Sequence, residues 1–234
     1  RSGARVSELA YQSATPTGGE RSVDGRDPGV TPARCVMYVL FSDLLASPFD
    51  ATPAMAGKPI DIGALGLPYE VTNLEALLEE WRGTDKDELR RTYSSLFEVG
   101  SDGPPVPIRE DLHKDQPAGL REDIVRFYEF FGYGLQESFA WAPDHLSVEL
   151  EFMHFLCFRE LQMFESAEED ADPLSYQLAQ FDFAERHLCD WVPELATKVL
   201  QQDSAALYGR LLGALSEFLI KDYEWQAATI QDGA

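Results

Sequence analysis

Lysine, cysteine and long apolar runs are what this sequence has least of. Lysine occurs only at positions 58, 86, 114, 198 and 221. Lys plus Arg total 19 against 41 Asp plus Glu, a net charge of -22. Nucleic acid and anionic membrane are excluded as natural partners, because phosphate binding needs clustered cations. A basic partner is attracted by the same field. The three cysteines, Cys35, Cys157 and Cys189, are odd in number, far apart and in apolar helical contexts. That excludes a disulfide framework and a zinc ribbon, and indicates buried thiols in a reducing compartment. No apolar run approaches the ~18 residues of a membrane span. Nor does the sequence open on an apolar signal core, and Arg90-Arg91 sits mid-chain in a helical pattern, so it is no export signal. A cytoplasmic location is the expectation. Glycine-rich phosphate loops, nucleophile elbows, strand alternation and internal repeats are also missing.

What is present is helix-forming and apolar. Hydrophobic residues make up 44% of 234, enough for one sizeable core, and 14 Phe, 9 Tyr and 4 Trp supply it generously. Residues 1–32 are rich in Gly, Ser, Thr, Pro and charge and read as a flexible tail. From Ala33 to Leu45 the sequence is apolar almost all round, a helix buried on most sides. Asn73 reads as the cap of a helix whose stripe is Leu74, Leu77, Leu78 and Trp81. Asp85 to Phe97 carries Leu89, Tyr93, Leu96 and Phe97 on one face. Pro104, Pro105 and Pro107 then enforce an extended loop. Leu120 to Phe131 is a helix stopped by Gly132, and His145 to Phe164 is a long central one. Asp172-Pro173 starts the next helix. Trp191 and Pro193 punctuate, a short helix runs from Glu194, and a final one from Ser204 to Tyr223. The class is all-α: a single-domain bundle of about eight helices over 33–225, with a C-terminal tail over 226–234.

Two constellations bear on chemistry. Glu151-x-x-His154 has the spacing used in di-iron bundles, and Glu110-x-x-His113 repeats it. Glu110 and His113 follow a proline-rich loop, however, and the further inward carboxylates such a site needs are not evident. No metal and no cofactor is expected. The second is Pro143-Asp144-His145 at the start of the longest helix. Asp144 is well placed as its N-cap, in a first turn whose acidity suits the helix dipole. The cap leaves His145 unexplained.

The run from Pro143 to Met153 (Pro-Asp-His-Leu-Ser-Val-Glu-Leu-Glu-Phe-Met) resembles the signature of the TorD/DmsD/NarJ family of redox-enzyme maturation chaperones. Other landmarks agree in order: Arg34 with Tyr38-Val39-Leu40, Tyr93-Ser-Ser-Leu96-Phe97, the Pro104–Pro107 loop, Phe127-Tyr128 with Gly132, then His187-Leu188 and Trp191-Val-Pro193. The resemblance covers Ala33 to Tyr223. It departs in one respect, the direct adjacency of Pro143 and Asp144. It is nearest the subgroup serving type II dimethyl sulfoxide reductase-like enzymes. It implies a catalytically inert cytoplasmic chaperone. Such a protein binds the molybdenum-containing catalytic subunit of its client, often through a twin-arginine leader, until the molybdopterin cofactor is inserted. It implies a client site with Pro143, Asp144, His145 and Glu149 at its polar end and Tyr93, Leu96, Phe97, Tyr128 and Trp141 as groove wall. The alternatives are a helical di-iron or other metal-binding oxidase, and a helical scaffold or regulatory module without chaperone activity.

Overall fold

A computed structural model of the chain describes residues 21–49, 53–100, 103–114, 118–135, 142–165, 173–202 and 206–232. Eight α-helices lie among them: α1 (Thr31–Leu45), α2 (Leu74–Gly83), α3 (Lys86–Phe97), α4 (Leu120–Phe131), α5 (Leu146–Glu165), α6 (Leu174–His187), α7 (Val192–Gln202) and α8 (Leu207–Ala227). The all-α class and the helix number agree with the periodicity. None of the described helices is long and apolar enough to cross a membrane.

Helices α1 and α5 form the centre and pack along each other, with α6 against α5 and α7 against α8. Their sequences explain this. In α5, Leu146, Val148, Leu150, Phe152, Met153, Leu156 and Cys157 are all buried, so the helix has no broad polar face and must be surrounded. Phe152 sits among Tyr128, Tyr133 and Phe183 at centroid distances of 4.7, 5.4 and 4.9 Å. Gly209 lets α8 approach α7, since a Cβ there would come within 2.9 Å of Leu200.

A buried ionic cluster joins four helices. Arg34 of α1 is fully buried and donates to Asp222 of α8 at 2.6 and 3.0 Å and to Gln180 of α6 at 2.6 Å. Tyr38 and Tyr69 also donate to Asp222, at 2.7 and 2.5 Å. Glu160 of α5 accepts from Gln177 and Gln180 at 2.9 and 2.7 Å. Burial pushes the Asp222 carboxyl up, but the Arg34 charge and these donors outweigh it, and the net shift is downward. Tyr69 ends the Gly- and Pro-rich segment after α1, so this cluster also ties that segment to the core.

Four local expectations are corrected. The tail assigned to 1–32 is structured from residue 21: Arg21–Val23 (β1) pairs antiparallel with Ile230–Asp232 (β2), and Arg21 binds Asp182 of α6 at 2.7 Å. The same pairing replaces part of the tail assigned to 226–234; residues 1–20 lie outside the described residues. Asn73 makes no side-chain capping bond, and its backbone is left-handed (φ 58°). Pro193 stands inside the first turn of α7 rather than before it, where its missing N–H costs nothing. Gly132, by contrast, stops α4 as expected, in a left-handed conformation at φ 72°.

Candidate functional site at the start of the long helix

The exit of the proline-rich loop pairs with the chain entering α5. Glu110 N–H donates to Asp144 O at 3.0 Å, Leu146 N–H donates to Ile108 O at 3.2 Å, and Arg109 bridges to His145. This short pairing carries Arg109 alongside Asp144. Prolines make it possible: they keep residues 104–107 extended, so the loop reaches across rather than coiling.

Asp144 is fully buried. It accepts from Arg121 Nε of α4 at 3.0 Å, from Arg109 at 3.4 Å and from the Asp111 N–H at 3.3 Å. Arg109 also pairs with Asp111 at 2.9 Å. Arg109, Asp111 and Arg121 retain 21, 19 and 38% of their side-chain exposure, so the four-charge corner is rooted in the core and opens to solvent. Burial and the neighbouring Asp144 raise the Asp111 carboxyl.

These contacts change the assignment of the helix cap. Asp144 spends its oxygens on arginines and on Asp111, away from the α5 backbone. His145 is the capping residue. Its Nδ1 accepts from the Ser147 N–H at 3.2 Å and lies 2.8 Å from Ser147 Oγ. A ring nitrogen that accepts carries no proton, so the proton sits on Nε2. From there it points to Tyr93 Oη at 3.2 Å, and Tyr93 donates to Leu45 O at 3.2 Å. Burial lowers the imidazole from 6.5 to about 4, with Asp144 opposing and Arg109 assisting. His145 is therefore neutral at physiological pH, and the role the sequence left open is structural.

A second layer lies behind the corner. Glu110 and Glu149 are fully buried. His187 Nδ1 contacts Glu110 at 3.0 Å, and its Nε2 lies 3.3 Å from Asp123. Burial lowers the His187 imidazole, but Asp123 and Glu110 outweigh it and raise it overall. Lys114 adds a cation 3.5 Å from Glu110. The Glu149 carboxyl is pushed well up, by burial first and then by Glu110 and Asp144.

The groove wall implied by the resemblance is corrected as well. Tyr93, Leu96, Phe97 and Tyr128 are all buried. Tyr93 and Phe97 pack edge to face at 5.0 Å, both also against Tyr208 of α8. Tyr128 donates to Pro143 O at 2.9 Å, and Pro143 is itself buried. These side chains support the corner from inside and form no open wall. Trp141 lies outside the described residues. The structure thus gathers Tyr93, Tyr128, Pro143, Asp144, His145 and Glu149 round the start of α5, with Leu96 and Phe97 in the core behind. Sequence reasoning missed Arg109 and Arg121, named His187 only as a landmark of the resemblance, and took Glu110 only as half of a metal motif. The other metal motif disperses too. Glu151 is exposed, and His154 Nδ1 turns to Cys35 O at 2.9 Å. Among the described residues no group of three or more His, Cys, Asp or Glu is arranged to hold a metal ion.

The corner sets two carboxylates against two guanidinium groups, with its outer edge open to solvent. The selenate reductase assembly chaperone protein of Thauera selenatis is 38% identical over 137 residues, 56% of this chain and 68% of that one. The chlorate reductase assembly chaperone protein of Ideonella dechloratans is 33% identical over 135 residues, 56% of this chain and 68% of that one. Chaperone protein TorD of Vibrio parahaemolyticus is 30% identical over 116 residues, 50% of this chain and 46% of that one. The class is that of the assembly chaperones, which are not enzymes. The sequence profile of the nitrate reductase delta subunit family matches residues 64–197, and the chain belongs to that family. A crystal structure of a protein from Archaeoglobus fulgidus aligns with a TM-score of 0.48 at 22% identity, over 79% of this chain and 93% of that one.

Proposed function

We propose that this protein is a cytoplasmic chaperone dedicated to one molybdenum oxidoreductase of the selenate and chlorate reductase kind. It binds the catalytic subunit, through that subunit's twin-arginine leader, and holds it until the molybdopterin cofactor is inserted. The observation that carries this reading is the family match over residues 64–197, which spans every side chain of the corner from Tyr93 to His187.

The chemistry supports it. A leader is basic and then apolar, and a chain of net charge -22 draws it in. At the corner, Asp111 and Asp144 already hold two guanidinium groups, so an incoming arginine meets carboxylates oriented for planar donors. Exchange of Arg109 or Arg121 for a client arginine keeps the buried Asp144 carboxylate paired, while the displaced, part-exposed guanidinium turns to solvent. The client-binding residues in this reading are Asp144, Asp111, Arg109 and Arg121, with His145, Pro143, Tyr93, Tyr128 and Glu149 holding them in place.

Calorimetry with a synthetic twin-arginine leader tests the reading. Binding should weaken about tenfold in Asp111→Asn, and more in a leader whose arginine pair is replaced by alanines. In cells, removal of the chaperone should leave the client subunit without molybdenum. A leader that binds equally well with and without its arginines, together with a fully metallated client in chaperone-free cells, overturns it.

A further inference from the structure

The chain carries a second candidate surface, away from the corner and of opposite character. Between the turn after α1 and the outer face of α3 runs a groove of about 670 Å³, lined by Phe49, Asp87, Arg90, Arg91, Ser94, Ser95 and Val99. Phe49 and Val99 are among the most exposed large apolar side chains described, at 57 and 65%. They stand at the rim of the same groove, where scattered exposure would place them apart.

The polar lining carries two arginines against one carboxylate, Asp87. Arg90 is held in place: its Nε donates to Pro48 O at 3.4 Å, its guanidinium lies over Phe49 at 5.8 Å, and it pairs with Asp87 at 3.2 Å. The Arg91 side chain is exposed and makes no hydrogen bond or ion pair among the described residues. The neighbouring acid, Glu98, is turned away and accepts from Ser47 Oγ at 3.0 Å. Ser94 and Ser95 stand one helical turn beyond Arg90 and Arg91 and add short hydroxyl side chains to the same face.

We infer that the groove formed by Phe49, Arg90, Arg91 and Val99 is a docking site for an acidic segment of a partner protein, one that sets a bulky apolar side chain beside a carboxylate. Arginine with an exposed aromatic is the pairing that interfaces favour, and a planar guanidinium takes a carboxylate in bidentate fashion. The rest of the surface repels an acidic segment, so recognition depends on contact inside the groove, within a Debye length of about 8–10 Å. A basic leader is disfavoured here, so this surface and the corner discriminate by charge. The inference stands without the function proposed above.

The test uses the full-length chain and fluorescein-labelled short peptides in which one leucine or phenylalanine is flanked by glutamates, with lysine-flanked counterparts. Anisotropy should show binding of glutamate peptides and none of lysine peptides. Arg91→Glu and Phe49→Ser should each weaken binding about tenfold. Arg126→Glu, at another exposed arginine with no ion pair among the described residues, should leave it unchanged. Circular dichroism of the variants confirms the fold, and leader binding should survive Arg91→Glu, which separates this site from the corner. Failure of every glutamate peptide to bind overturns the inference. So does equal weakening by Arg91→Glu and Arg126→Glu, which would mean charge without a site. Displacement of the peptide by an RNA oligonucleotide, or self-association of the chain that Phe49→Ser abolishes, assigns the groove to a different occupant and equally refutes it.

Discussion

His145 makes a quantitative demand on stability. It is held neutral, with a folded value of about 4 against 6.5 when free. A base whose folded value is depressed loses protons on folding, so the unfolded chain gains stability as pH falls below 6.5. Integrating between pH 7 and pH 5, native stability falls by up to about 2 kcal/mol from this group alone. For a chain of this length that is roughly 4–8 °C in Tm. The informative perturbation is His145→Asn. Asparagine still caps the helix through its side-chain oxygen, but it does not titrate and cannot reach Tyr93. At pH 7 the variant should be about 1 kcal/mol less stable, the worth of the lost hydrogen bond. By pH 5 it should equal or exceed the wild type. Urea unfolding followed by circular dichroism at both pH values gives the difference. His187, whose folded value is raised, is present in both proteins and cancels. If the gap between variant and wild type is the same at pH 5 and pH 7, His145 is not the neutral cap described above.

Three further outcomes follow from the packing. Arg34→Met strands the Asp222 carboxylate in the core and should cost about 3–5 kcal/mol in chemical denaturation. Glu149 has a raised folded value, so its contribution to stability is present below about pH 4.3 and is lost as pH rises. Glu149→Gln should therefore be at least as stable as the wild type at pH 7, with a smaller decline between pH 5 and pH 7 in the same assay. Gly132→Ala forces a Cβ into φ 72° and should lower stability by about 1–2 kcal/mol, read as an earlier thermal transition with unchanged helicity.

The resemblance read from the sequence has the same origin as the legible helices: both rest on local order along the chain. Leu74, Leu77 and Leu78 recur at helical spacing because one face of α2 is buried, and all three are. The same reasoning failed on Tyr93, Leu96 and Phe97. A helical apolar stripe has one period whether it faces a core or an open groove, and here it faces Tyr208 of α8. It failed at the termini because β1 pairs with a strand at the other end of the chain, a contact with no local signal.

By itself, then, the sequence determined the all-α class, the approximate helix boundaries, the acidic surface and a family resemblance. Each depends on residue type and short-range spacing. Only the tertiary structure decided which side chains share a site. Arg109 and Arg121 stand 35 and 23 residues from Asp144 and meet it because the proline-held loop and α4 converge on the start of α5. It also moved the helix cap from Asp144 to His145. A carboxylate that two arginines claim has no oxygen to spare for the helix, and the adjacent imidazole, kept neutral by burial, takes its place.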